Sequence, residues 1–303
     1  MRTRSLTTSD APGASANSPA AAIAAPPAGR PSAALVALLA TASVLALWWV
    51  FITTSTGQRI EGIALDSSLI GRRTLAAPTL AVLDLLSLPF LAIVTFSGVA
   101  VTIARRQWML AAALPLFVFA ANATTQVLKN LIISRPDFGL AHDYGNSFPS
   151  GHTTVAATAA VVAVLAVASA WRWLAALLGW GFAAVTGVAT MVNGWHRASD
   201  VVAALLVVLA WAALTLAIVG AQPTTSRGST ANRVTSLLLT RVGACAAALA
   251  AVALLITWWG VEAVTSPARV ALLIAYAGAW AGVAAVSCLA AAMLLRLCTH
   301  HPR

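Results

Sequence analysis

The chain has 303 residues, 60% of them hydrophobic and only 9% charged, with a mean hydropathy of +0.88. A soluble domain carries about 25% charged residues, so this composition excludes an ordinary water-soluble fold and indicates a polytopic membrane protein. The formal net charge of +10 does not imply nucleic acid as a partner, because the 18 basic residues are scattered between apolar runs and form no stripe; they read as topology signals and as contacts to the anionic headgroups of the bilayer.

Residues 1 to about 30 are rich in Ala, Pro, Ser and Thr, with Arg2, Arg4 and Arg30 as the main charges. Such a segment buries too little apolar surface to order itself, and a disordered tail is expected. The first apolar run starts too late and is too long for a cleavable signal, so Ala33 to Thr54 reads as an uncleaved anchor. Further spans are expected at about Thr79–Ala104, Trp108–Ile133, His152–Ala170, Trp173–Met191 and Val201–Val219, each near the ~20 residues that cross a ~30 Å hydrocarbon core. A polar linker over 221–235 separates these six from two more, Ser236–Gly260 and Val270–Leu297, and a short tail over 298–303. The apolar runs are continuous and do not alternate, which selects helices over a closed barrel. The expected fold is all-α, a six-helix core over 31–220 followed by two additional transmembrane helices over 236–297.

With the N-terminus inside, eleven of the basic residues fall in cytoplasmic segments, Arg105, Arg106, Arg172, Arg227 and Arg233 among them, and seven on the other side. The positive-inside rule then places the loops after the first, third and fifth spans on the extracytoplasmic face. The first of these loops contains G-Q-R-I-E-G-I-A-L-D, with Ile60, Ile63, Ala64 and Leu65 spaced as on a short amphipathic helix at the membrane surface. It reads either as a lip over a site or as a plain interfacial connector. Tryptophans near the span ends (Trp48-Trp49, Trp108, Trp171, Trp173, Trp258-Trp259) fit an interfacial belt. The three cysteines, Cys245, Cys288 and Cys298, have no metal-ligand spacing and read as small apolar residues.

Three polar islands interrupt this apolar chain: K-N-L-I-I-S-R-P from Lys129, P-S-G-H from Pro149, and G-W-H-R-A-S-D from Gly194. Ionisable residues are expensive in a membrane, and their concentration at three span ends marks a functional site. His196 and Asp200 are four apart and share one helix face, and a carboxylate beside an imidazole fixes its tautomer and raises its basicity. His152 supplies a second imidazole at the start of a span, where unpaired backbone N–H groups and the helix dipole favour an anion. Small Ser150 and Gly151 let an oxyanion approach the backbone, and Lys129 and Arg135 add two cations. Phosphate is the ligand such a set fits.

The three islands together resemble the motifs of the type 2 phosphatidic-acid phosphatase superfamily, the lipid phosphate phosphatases. Lys129 with Arg135-Pro136 is similar to the first motif, Pro149 to His152 to the second, and His196 with Asp200 to the third. The resemblance covers the six-span core and implies a metal-independent, cofactor-free phosphatase. In it His196 is the nucleophile that becomes a phosphohistidine, Asp200 holds its ring, and His152 protonates the leaving oxygen. Lys129, Arg135, the Ser150 side chain and the Gly151 N–H would hold the phosphoryl oxygens. Two departures stand out: five residues instead of six separate Lys129 from Arg135, and the Ser-Arg pair expected before His196 falls at Ala189 and Thr190. Arg197, or Asn193 through its amide, is the candidate replacement for the missing arginine.

The implied substrate is a lipid monophosphate or diphosphate, such as phosphatidic acid or a polyprenyl (undecaprenyl) diphosphate, met on the extracytoplasmic side of the cell membrane. The alternatives are a phosphotransferase with an alcohol acceptor and a non-catalytic lipid-binding protein that retains the fold. The last two helices lie outside the resemblance and are candidates for packing on the core, forming a homo-oligomer or gating lateral access of lipid. Asp84 inside the second span reads as a site partner or a structural acid; Asp137, His142 and Asp143 read as a solvated loop, and His300-His301 as a frayed end.

Overall fold

The computed structural model describes residues 30–140, 145–220, 225–261 and 269–299. Residues 1–29 of the expected N-terminal tail, the loop residues His142 and Asp143, and the histidines at the C-terminus lie outside these, whereas Cys298 and Thr299, expected in the tail, are helical. Among the described residues ten α-helices follow in order: α1 (Arg30–Leu47, continued by a π turn Trp48–Ile52), α2 (Ser55–Asp66), α3 (Ser68–Asp84), α4 (Leu88–Ala104), α5 (Trp108–Val127, continued by a π turn Leu128–Ile132), α6 (Gly151–Ala166), α7 (Arg172–Val192), α8 (Ala198–Val219), α9 (Ser226–Val261) and α10 (Arg269–Thr299). Among the described residues six helical stretches are long and apolar enough to cross a bilayer, and a bent pair adds a seventh. The protein is an all-helical, polytopic membrane protein.

The second expected span is that bent pair. Thr74–Asp84 and Leu88–Ala104 meet at 52°, and Ser87 caps α4 by accepting from the Phe90 N–H. Asp84, expected inside a span, instead sits exposed at this bend. The short α6 has 16 residues, about 24 Å at 1.5 Å per residue, and is the most enclosed helix. It packs against α4, α5, α7 and α8, which is why its run of Ala, Val and Thr shows no amphipathic stripe. Its hydroxyls are satisfied inside the protein: Thr158 donates to the Thr154 carbonyl, Thr154 to that of Ser150, and Thr125 of α5 meets Thr154 at 3.0 Å.

Two expectations about the ends of the bundle change. Most of the supposed linker over 221–235 is helix, the first turns of α9. It is held on the turn before α7, where Asn232 and Thr225 bond to Ser169 and a Cβ on Gly228 would fall 2.7 Å from the Ser169 carbonyl carbon. Small and amide residues that read as a polar spacer are there for close docking. Arg172, counted among the inner topology charges, is fully buried at the start of α7. The tryptophan pattern is as expected of a belt, with Trp49, Trp108, Trp171 and Trp259 all exposed at helix ends.

The outer connector also differs from a plain surface helix. α2 buries Gln58, Ile60 and Glu61, packing on α8, α9 and α10. Gln58 donates to the carbonyls of Ile52 and Pro136, tying the end of α1 to the strap behind α5.

Candidate active site

The third island is built around one carboxylate oxygen. Asp200 sits at the first turn of α8, fully buried, and its Oδ2 accepts from His196 Nδ1 at 3.1 Å, from the Arg197 backbone N–H at 2.9 Å and from the Ser147 hydroxyl at 2.6 Å. His196 itself lies one residue ahead of the helix cap, so the pair meets across the cap and not along a regular helix face. The chain gets there by a tight turn. Gly194 takes φ +71, a region that costs a side-chain-bearing residue about 1–2 kcal/mol, and Trp195 N–H returns to the Thr190 carbonyl. With Nδ1 donating to a buried carboxylate, the lone pair of His196 is on Nε2.

The second island is locked to the third through the backbone: Ser150 N–H donates to the Asp200 carbonyl at 2.9 Å. Ser150 is the N-cap of α6, and its fully buried Oγ accepts from Thr153 N–H and from the Thr153 hydroxyl. That leaves Ser150 one hydroxyl proton to donate, and leaves the N–H groups of Gly151 and His152 ahead of the first intrahelical bond. His152 packs its ring on that of Trp195, centroids 5.6 Å apart, and lies within electrostatic reach of both His196 and Lys129. Two imidazoles, one from the first turn of α6 and one from the turn before α8, thus lie within electrostatic reach of each other, with the indole of Trp195, 44% exposed, against His152.

Lys129 lies on the π turn that ends α5, and such turns widen the backbone locally. The one-residue departure in the Lys–Arg spacing falls here and in the extended strap that follows, where the chain is not bound to helical phase. Asn146 holds the strap against the second island: its amide donates to the carbonyls of Lys129 and Ile133, and its own carbonyl accepts from Phe148 N–H.

Arg135 is engaged by a residue the motif reading did not single out. Its Nη2 lies 3.0 Å from Glu61 Oε2, with both side chains almost wholly buried. The other Glu61 oxygen accepts from Ser199 N–H at 3.1 Å. Burial, and then the charge of Asp200, push the Glu61 carboxyl up from its ordinary value, against the pull of Arg135. The signal for Glu61 was present in the sequence, one acid between Ile60 and Ile63 on an amphipathic stretch, and through it α2 contacts Arg135 and Ser199. Ser147 was another omission; it bonds Asp200 and accepts from Arg197 Nη1 at 3.3 Å.

The candidate replacements for the missing arginine fare differently. Thr190, in the arginine's place, is buried with its hydroxyl on the Gly187 carbonyl. Asn193 spends its amide protons on Thr79 and on the Ala189 carbonyl. Arg197 stays at the site, 6% exposed and held by Ser147. A further cation comes from α3: the exposed Arg72 lies over the third island, its Nη1 3.7 Å from where a Cβ on Gly194 would sit.

Lys129, Arg135, Ser150, Gly151, His152, His196, Arg197 and Asp200 are therefore all at one end of the bundle, tied together by Asn146, Ser147 and Glu61. No curated protein matches the chain in sequence. A solved structure that resembles it is the crystal structure of the first transmembrane PAP2 type phosphatidylglycerolphosphate phosphatase from Bacillus subtilis, with a TM-score of 0.49 and 23% identity over 59% of this chain and 93% of that one. Residues 91–223, which run from α4 past the end of α8 and include all three polar islands, match the family model of the PAP2 superfamily.

Proposed function

We propose that this protein is an integral membrane phosphatase that hydrolyses a lipid phosphate monoester or diphosphate through a phosphohistidine on His196. The observation that carries the reading is the His196–Asp200 pair at 3.1 Å, with a second histidine, His152, within electrostatic reach of it. Binding Nδ1 to a buried carboxylate leaves Nε2 as the nucleophile and stabilises the imidazolium-like ring that forms when phosphorus is attacked. As the Nε2–P bond forms, the P–O bond to the lipid breaks, and His152 delivers its proton to the departing oxygen. His152, now neutral, takes a proton from water, whose oxygen attacks phosphorus. The N–P bond then breaks, returning its electron pair to His196 and releasing phosphate.

The oxyanions would be met by Lys129, Arg197 and the N–H groups that open α6, where the helix dipole adds to the attraction. Ser150 acts here mainly by shaping that turn, and Arg135 acts together with its Glu61 counterion. The positive-inside distribution of arginines supports an extracytoplasmic site, which suits a lipid whose headgroup faces outward.

The test is phosphate release by the purified protein from a panel of lipid phosphates with chelator present, beside His196→Ala, His152→Ala and a labelled alcohol acceptor. Metal-independent release lost in the His196 variant, and an acid-labile phosphoenzyme accumulating in the His152 variant, would support the reading. Label transferred to the alcohol would instead identify a phosphotransferase, and binding without either product a non-catalytic lipid-binding protein.

A further inference from the structure

The PAP2 match ends at residue 223, yet α9 and α10 pack on α2, α7 and α8. Between α1, α2, α8 and this C-terminal pair lies a cavity of about 150 Å³. Its far wall is mostly small residues, Ala250 and Ala253 of α9 and Ala275, Gly278, Ala279 and Gly282 of α10, with Leu254 and Thr257 of α9 beside them. A Cβ on Gly278 would fall 2.4 Å from that of Ala253, so the two helices touch there, while one on Gly282 would have only ordinary contact with Ala250 at 3.8 Å. Small side chains on both helices leave the space open, and Leu47, Phe51 and Val202 close it from the core side.

The cavity is not isolated from the chemistry. Glu61 and Ser199 stand at one end of it, and Glu61, Ala64 and Ala198 are shared with a small recess bounded by His196, Arg197 and Tyr276. Tyr276 is an α10 residue, so the C-terminal pair reaches the same recess as the nucleophile. Among the described residues Glu61 is the one charged residue lining the cavity and is shared with the recess, where His196 and Arg197 join it; apart from Ser199 and Thr257 the rest of the cavity lining is apolar. A ligand matching both has an anionic head and a hydrocarbon tail. An apolar cavity of about 150 Å³ accommodates a benzene-sized group, so this one grips the first few carbons of a chain and leaves the remainder in the bilayer. A larger cavity, about 350 Å³, lies among α1, α5 and α8 beneath Phe148, but none of the charged site residues lines it.

We infer that α9 and α10 form the binding cavity for the head-proximal hydrocarbon tail of the lipid phosphate; the identity of the head rests on the phosphatase reading above. The two can be separated experimentally. The full chain in nanodiscs is photolabelled with a lipid phosphate carrying a diazirine near the head end of its chain, and in parallel with a diacylglycerol carrying the same diazirine. The expected result is label from the phosphate lipid within residues 250–257 and 275–282, competed by unlabelled lipid phosphate and lost in Ala279→Phe. Label spread evenly over lipid-facing surfaces, alike for both lipids, would mean annular lipid only and overturn the inference, as would label concentrated in the cavity beneath Phe148.

Kinetics give the second arm. Ala279→Phe should raise the ratio of long-chain to short-chain KM about tenfold, with the milder Gly282→Val in reserve should the bulkier variant not fold. An equal change for both chain lengths would overturn the tail assignment. If no lipid phosphate is turned over at all, the phosphatase reading falls, and the labelling pattern still decides whether the cavity holds a tail.

Discussion

Asp200 Oδ2 takes three hydrogen bonds at once, and together they fix one tautomer of His196. The expected consequence is a large loss when that oxygen changes character. Asp200→Asn keeps the shape but can present an N–H to Nδ1, favouring the tautomer with its proton on Nε2, where the lone pair is needed. We expect kcat to fall about 10²–10⁴-fold with little change in KM, measured as phosphate release at saturating substrate with folding checked by gel filtration. An unchanged kcat would remove Asp200 from any role in orienting the nucleophile. At this scale the sequence was legible where residue type and spacing put side chains in contact, as with His196 and Asp200. It was silent on Ser147 and Trp195, since a serine and a tryptophan beside polar residues are common, and only the fold brings Ser147 onto Asp200 and Trp195 onto His152. Asn193 shows the converse: an amide next to the motif looks available until the turn directs both its protons elsewhere.

At the scale of elements, α2 is the part whose role the sequence left open. An amphipathic helix of 12 residues fits a surface connector and a site lip equally well. What decides is the burial of Glu61 against Arg135 and Ser199, long-range contacts that periodicity does not encode. Glu61 gives α2 a measurable signature. Its carboxyl is raised above the ordinary 4.5 by burial and by Asp200, so the folded state binds the proton more tightly than the unfolded state. The stability it contributes is complete below about pH 4.5 and is lost as pH rises through the raised value. Glu61→Gln resembles the protonated form at every pH. The stability of the natural protein minus that of the variant should therefore decline as pH rises above about 4.5, followed by thermal unfolding in detergent. A difference that is flat or climbs with pH would show that Arg135 outweighs burial at this carboxyl. The helix boundaries illustrate the same limit: 226–235 reads as a linker by composition, and its conversion to α9 depends on Ser169, far away in sequence.

For the whole molecule, the bundle separates two kinds of charge. The polar islands and Glu61 gather at one end. At the other, Arg105 Nη1 bonds the Ala166 carbonyl and the first turns of α9 dock on Ser169, which brings Arg105, Arg106, Arg227 and Arg233 to the opposite end. α7, with 21 residues, spans about 30 Å between them. This polarity was readable from loop charges because topology depends on composition near span ends and needs no tertiary contact. It predicts which leaflet supplies the substrate. In a chain whose three cysteines are replaced by alanine, Phe138→Cys, on the strap of the first island and exposed, should react with a membrane-impermeant maleimide in intact cells. Arg227→Cys, exposed near the start of α9, should react only after permeabilisation. The opposite pattern would place His196 in the cytoplasm, and the arginine surplus would then lie on the translocated side. In that case the headgroup would have to come from the inner leaflet, and a lipid presented on the outer surface could not be its substrate, whatever the panel of lipid phosphates showed in detergent.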